Sequence, residues 1–272
     1  MKYTDKTFEK KFGHRYYENT SLISNSMIST FLKSPYRYKQ MYIDKTATRE
    51  PTDSMIVGGA VDCILTEGMK TFQGMYEVVK RRTCKKTQLT EVMFDSVMGL
   101  VARIEQQPVY QSIAKGCKTY KKSANQIILV DEELGVKGKL DFLQISKDKK
   151  RARIVDLKTT RSVQPHRYHY SCLDYGYYRQ MAMYRYLVGI TYPEVEEIAC
   201  YHLAIEKDND GIYPCMLYDL GTHRLNIELE GIQQYIQEIK SEKDFAQKTV
   251  DWDDTVLLWD VPEEDVNNFT EA

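Results

Sequence analysis

The sequence predicts an α/β (α+β) fold, a small mixed sheet with helices before, between and after its strands. The N-terminal quarter and the region near the C-terminus space their apolar residues at the helical period. Between them, residues 126–159 switch to short alternating segments broken by turn-rich and charged stretches, the pattern of strands.

Residues 25–42, NSMISTFLKSPYRYKQMY, bring Met27, Ile28, Phe31 and Leu32 onto one helix face behind a Ser24 or Asn25 cap, with an interruption expected around Pro35. Residues 55–65 form a second helical segment, in which Gly58, Gly59 and Ala60 leave room for a close neighbour at some cost in helix propensity. Residues 76–80 read as a strand, and 91–106 and 109–115 as helices. The segments 126–130, 135–145 and 151–159, separated by DEELG and SKDKK, predict an antiparallel meander. A single long helix is expected over 173–187, strands over 197–206 and 212–219 around KDNDG, and a last helix over 224–240. No internal repeat or low-complexity tract interrupts this order.

A length of 272 residues suits one domain spanning 1–272, with an N-terminal helical region about 20–70, a sheet core about 76–220 and an acidic tail at 251–272 that carries no Lys or Arg. No apolar run approaches bilayer length and the N-terminus lacks a continuous apolar segment, so a soluble, cytoplasmic chain without membrane contact is expected. Cys63, Cys84, Cys117, Cys172, Cys200 and Cys215 are scattered singly, without the close spacing of a zinc or iron–sulfur centre.

The net charge of −1 gives no global argument for a polyanionic partner, but the charge is segregated. Basic residues gather at 80–86, 115–122 and 147–153. Each run can be a solvated loop, or all three can line one groove.

The chemistry-bearing residues fall in the meander. Within RIVDLKTT, alternation places Ile154, Asp156 and Lys158 on one face and Val155 and Leu157 on the other. GKLD puts Asp141 on the preceding strand, and SKDKK is short enough to fold the two strands side by side. Two carboxylates supply hard oxygen ligands for Mg2+ or Mn2+, which lowers the pKa of water and neutralises a phosphate. Asp141, Asp156 and the backbone carbonyl of Leu157 would be the ligands, with Thr159 beside them as a candidate substrate contact. Nearby carboxylates oppose a lowered lysine pKa, so Lys158 is expected to orient water and offset charge rather than abstract a proton.

These residues resemble the PD-(D/E)XK nuclease superfamily, and within it the RecB-like and phage recombination exonuclease branch. The resemblance implies a restriction-endonuclease-like fold with Asp141, Asp156 and Lys158 as catalytic residues. It also covers YYRQMAMYRYL, where it implies Gln180 as a further catalytic residue and Tyr184 one helical turn away as a substrate contact. In SNSMISTFLKSPYRY it covers Ser26, Ser34, Pro35 and Tyr38, and Ser34 and Arg37 become candidate substrate-binding residues. Relatives with a G-x-A-x-H helix carry a metal-binding histidine; GGAVD has Asp62 there, a possible ligand. Relatives with an iron–sulfur cluster carry cysteines that this chain replaces by Ser34 and otherwise lacks, so no cluster is expected.

The activity this implies is a Mg2+- or Mn2+-dependent exodeoxyribonuclease working from the ends of linear double-stranded DNA in phage or prophage recombination. A single-strand annealing protein would be its partner and a homo-oligomeric ring its assembly, with 80–86 and 147–153 along a basic channel. His166, Tyr168, His169 and Tyr170 could stack on bases, His166 being the candidate contact. Alternatives are a structure-selective or restriction-type endonuclease, and a catalytically silent nucleic-acid-binding or assembly protein on the same fold.

Overall fold

In the computed structural model, residues 1–48, 50–83, 87–207, 211–242 and Phe245 are described. The acidic tail and part of the 80–86 basic run lie outside them. The chain forms the expected α/β architecture of the restriction-endonuclease-like kind, a mixed sheet between two helical layers.

Strands β1 (Lys2–Tyr3), β4 (Ala124–Asp131), β5 (Val136–Ile145), β6 (Arg151–Thr160), β7 (Glu197–Glu206) and β8 (Cys215–Asp219) lie side by side in that order. The meander β4–β5–β6 is antiparallel throughout, as its short turns require. From β6 the chain crosses through two helices and returns as β7, parallel to β6 over ten register pairs. Residues 76–80 do not join this sheet. Instead β2 (Glu77–Val79) pairs in parallel with β3 (Gln88–Thr90), three residues with no sequence pattern of their own, to make a separate ribbon.

Helices α2 (Asn25–Lys33), α9 (Tyr177–Thr191) and α10 (Thr222–Ser241) cover one face of the sheet, over Leu140, Leu143, Ala152 and Ile154. Helices α4 (Asp53–Glu67), α6 (Glu91–Glu105) and α7 (Pro108–Lys115) cover the other, over Phe142, Val155, Leu203 and Ile205. The break at Pro35 is real: α2 ends at Lys33, Ser34 caps the short α3 (Pro35–Tyr38) by accepting from Arg37 N–H, and a π-helical turn follows at Lys39–Ile43. The remaining short helix, α5 (Met69–Met75), follows α4 directly. Among the described residues no helix is long and apolar enough to cross a membrane.

Two expectations need correction. The long helix over 173–187 is two helices, α8 (Pro165–Asp174) and α9, parted by Gly176 in the left-handed conformation (φ 65°). Apolar spacing continues across this junction, which is why periodicity alone does not reveal it. The first twenty residues, expected to lie outside the helical region, contribute β1 and α1 (Asp5–Phe12), the latter opened by a Thr4/Thr7 capping box and closed by Gly13. Lys137, only 2% exposed, fastens this segment to β5 by donating to the carbonyls of Tyr16 and Asn19.

Helix α9 reaches the sheet where β5 has no side chain. A Cβ on Gly138 would stand 2.8 Å from the Tyr184 ring and 3.0 Å from Leu187 Cδ1, whereas one on Gly74 in α5 would meet nothing within 4 Å. Gly138→Ala is therefore expected to cost about 1–3 kcal/mol through overpacking, while Gly74→Ala should stabilise by about 0.5–1 kcal/mol through helix propensity. Urea unfolding of the two variants checks both signs; equal effects would contradict the packing account.

Candidate active site

The site begins where the ladder between β5 and β6 stops. Their pairing runs from Ile145↔Ala152 to Phe142↔Val155, and the next positions along it are Asp141 and Asp156. On the other side of β5, the register with β4 also skips the Gln126 and Asp141 level, passing from Asn125↔Phe142 to Ile127↔Leu140. Gln126 adopts a left-handed backbone (φ 49°) there. Side-chain alternation shifts at the same point, since Leu140 and Leu143 share one core while Phe142 lies in the other. The local irregularity thus re-aims Asp141, as bulges do. Its Oδ2 accepts the Leu157 N–H at 2.9 Å, taking a backbone donor that the strand pairing leaves over.

On β6 the predicted alternation holds. Val155 and Leu157 pack toward α4 and α6, while Ile154 packs toward α9 with Asp156 and Lys158 on its side of the sheet. Asp156 is 2% exposed and Lys158 Nζ lies 2.5 Å from its Oδ2. The contact is an ion pair by distance, yet Oδ2 has no hydrogen bond of acceptable direction. Lys158 Nζ donates to Gln180 Oε1 at 2.9 Å, and Gln180 Nε2 donates to the Tyr184 hydroxyl at 2.9 Å. The Tyr177 ring stands 4.3 Å from the same ammonium. Asp156, Lys158, Gln180 and Tyr184 are therefore one connected chain, with α9 supplying its second half.

Asp62 comes from α4. Gln126 Nε2 donates to both its carboxylate oxygens, at 3.3 and 3.2 Å, and to Thr66 Oγ1 at 3.0 Å. Close approach of α4 to β6 depends on Gly58, where a Cβ would come within 2.8 Å of Thr159 Oγ1. Burial and then the Asp156 charge push the Asp62 carboxyl up to about 7, against the pull of Lys139. Asp141 is held well above the usual carboxylate range by burial, Asp62 and Asp156, against Lys158 and the Leu157 N–H. Burial pulls the Lys158 ammonium down, but Asp156, Tyr177 and Asp141 outweigh it, and its pKa is raised. The amine stays charged.

These donors suit a hard divalent cation in kind: oxygen ligands, one of them a buried oxygen without a hydrogen bond, in a place where carboxylates resist ionising together. Among the described residues no three Asp, Glu, His or Cys side chains converge as a metal-ligand group. Asp62 thus feels Asp141 and Asp156 electrostatically without closing into a ligand triad with them.

A cavity of about 1010 Å³ opens over this region, and Asp62, Leu157, Lys158, Thr159, Gln180 and Tyr184 line it. Ser34 and Arg37 line it from the α2–α3 side, Arg37 Nη2 donating to the Thr48 carbonyl at 3.1 Å. Asp141 and Asp156 do not line it. His166 is exposed on α8 and is not among the lining residues, although Ser171 and Asp174 of the same helix are. None of the three basic runs contributes a described residue to the cavity; its cations are Lys33, Arg37, Lys137, Lys139, Lys158, Arg161 and Lys207. Lys115, Lys121, Lys122 and Lys147 instead converge on a separate small pocket. Two residues without a sequence signal belong to the site. Gln126 is disclosed only by its backbone, and His202 only by the register that sets it beside Asp156.

Residues 24–250 match the family described as a PDDEXK-like domain of unknown function. A search of curated proteins finds no match. Among solved structures, one from Eubacterium rectale described as a candidate exonuclease superposes with a TM-score of 0.61 at 16% identity, covering 88% of this chain and 87% of that one. At that identity the likeness is one of fold.

The raised Asp62 pKa fixes a sign. Between the unfolded carboxyl's ordinary value and about 7, the folded protein holds a proton that the unfolded chain has released, so raising pH favours unfolding. In chelator, native protein is expected to lose stability relative to Asp62→Asn as pH rises from about 5 to about 8. Urea titrations across that range test it; a constant difference between the two proteins would refute the assignment.

Proposed function

This chain belongs to the family of PDDEXK-like domains of unknown function, and from that premise we propose that it is a Mg2+- or Mn2+-dependent exodeoxyribonuclease acting on the ends of linear double-stranded DNA. The observation that carries the reading is the meeting of Asp141, Asp156, Lys158 and Gln180 where β5 and β6 part, beside a cavity of about 1010 Å³. Asp141 and Asp156, with the Leu157 carbonyl, would hold the cation. When bound, that cation supplies Lewis acidity at the phosphate and lowers the pKa of the attacking water.

The chain's own groups do the rest. Lys158, charged and fixed between Asp156 and Gln180, offsets the negative charge that builds on phosphorus; its raised pKa suits this role and disfavours proton abstraction. Gln180 holds the ammonium in place and is itself fixed by Tyr184. Ser34, Arg37 and Thr159 on the cavity wall would receive backbone phosphates. The likeness in fold to a candidate exonuclease supports the exonuclease reading, and the Gln180 and Tyr184 spacing on α9 is the feature on which the RecB-like, phage recombination branch is proposed. Recombination as the pathway, an annealing partner and a ring-shaped assembly are part of the same proposal.

The silent-binder alternative draws on one observation, the lack of three converging ligand side chains among the described residues. Incubation with end-labelled linear duplex, single strands and closed circles, in Mg2+, Mn2+ or chelator, separates the readings. Metal-dependent shortening of linear duplex with the circle spared is expected, and Lys158→Ala should slow it by about 100-fold or more. Cutting of the circle would reassign the chain to endonucleases. Binding without a metal-dependent product from any substrate would end the nuclease reading.

A further inference from the structure

Beside Asp156, toward β7 and α8, lies a set of polar groups that the proposed chemistry does not use. His202 is the register partner of Asp156 on the parallel strand β7, and paired residues present their side chains to the same face. It is fully buried. The Tyr168 and Tyr177 rings each meet the imidazole edge to face, both with centroids 5.9 Å away, and Cys172 Sγ lies 4.0 Å from Nδ1.

Three buried polar atoms in this set lack a hydrogen bond of good geometry: His202 Nε2, the Tyr168 hydroxyl beside the Cys172 thiol, and Asp156 Oδ2, which has only the Lys158 ion pair. Leaving such atoms unsatisfied costs about 1–3 kcal/mol each, and native proteins rarely tolerate it. Here they come from three elements, β6, β7 and α8, that pack together. One is an acceptor and the others can donate. The Cys172 thiol beside Nδ1 favours that nitrogen as acceptor, which leaves the imidazole proton on Nε2.

We propose that His202 is a positioning residue for Asp156: its Nε2–H donates to the Asp156 carboxylate, directly or through one buried water shared with the Tyr168 hydroxyl, and so sets how tightly the site holds a divalent cation. The inference rests on the metal-dependent reading above. A carboxylate held only by Lys158 would be drawn toward the ammonium. A second donor from the β7 side fixes its plane, and such supporting donors typically change metal affinity by about 10–100-fold. Tyr177 joins the two halves, since one ring packs against His202 and also lies under the Lys158 ammonium.

Two measurements test this. Nitrogen NMR of 15N-histidine-labelled native protein, metal-free and near neutral pH, should show His202 as the Nε2–H tautomer. The Nδ1–H tautomer would overturn the proposal, whether or not any variant folds. Calorimetric titration with Mn2+ should give binding to native protein, about 10-fold or more weakening in His202→Phe, and partial recovery in His202→Gln, whose amide can still donate. A purely structural role would lower melting temperature in both variants without that recovery. Mn2+ binding that is equal in native protein and His202→Phe overturns this inference and leaves the metal site standing. No Mn2+ binding by native protein overturns both.

Discussion

Leu157 stands two residues beyond the last β5–β6 pair, and its N–H is satisfied by a side chain rather than by a strand. A buried N–H without an acceptor is costly, so the Asp141 carboxylate that accepts it is held at the split between the two strands. Continued pairing would place an opposing backbone where this carboxylate now reaches. The site is thus a product of interrupted regularity: β5 loses its partners on both sides at Asp141, while β6 keeps an unbroken parallel ladder with β7.

That contrast sets the electrostatics. Because β6 is supported by β7 along its full length, Asp156 and Lys158 are carried into a region covered by α9, where burial strengthens every charge interaction. Asp62 and Asp141 resist ionisation there, and the local compensation comes from two ammonium groups, Lys139 toward Asp62 and Lys158 toward Asp141. The arrangement is poorly balanced for stability and well suited to accepting positive charge, as is common where function and stability compete.

Much of this was legible in the sequence because strand alternation is a strict rule. RIVDLKTT assigns Asp156 and Lys158 to one face with Ile154, and the two core clusters divide along that line. The antiparallel meander followed from short turns, and Gly58 from the need for a close helix. Other features were not readable because they depend on backbone conformation or distant partners. The left-handed turn at Gly176 splits a continuous apolar pattern, and Gln126 looks like an ordinary strand residue until its φ is known. His202 looks like a lone histidine in an apolar strand until the β6–β7 register is fixed. Of the two readings open for the basic runs, the groove finds no described residue at this cavity. The cations at the cavity come instead from outside those runs, on α2, α3, β5, β6 and the segments that follow β6 and β7.

Arg179, almost fully buried near the start of α9, donates from Nε to Asn25 Oδ1 at 2.9 Å and from Nη2 to Ser29 Oγ at 2.6 Å, while Asn25 Nδ2 donates to the Gly176 carbonyl. The guanidinium therefore rivets α2 to the helix that bears Gln180 and Tyr184. One jaw of the cleft and the residues that steady the lysine form a single stiff piece, so widening to admit a thicker guest falls to the opposite jaw, where α4 rests on β6 through a glycine.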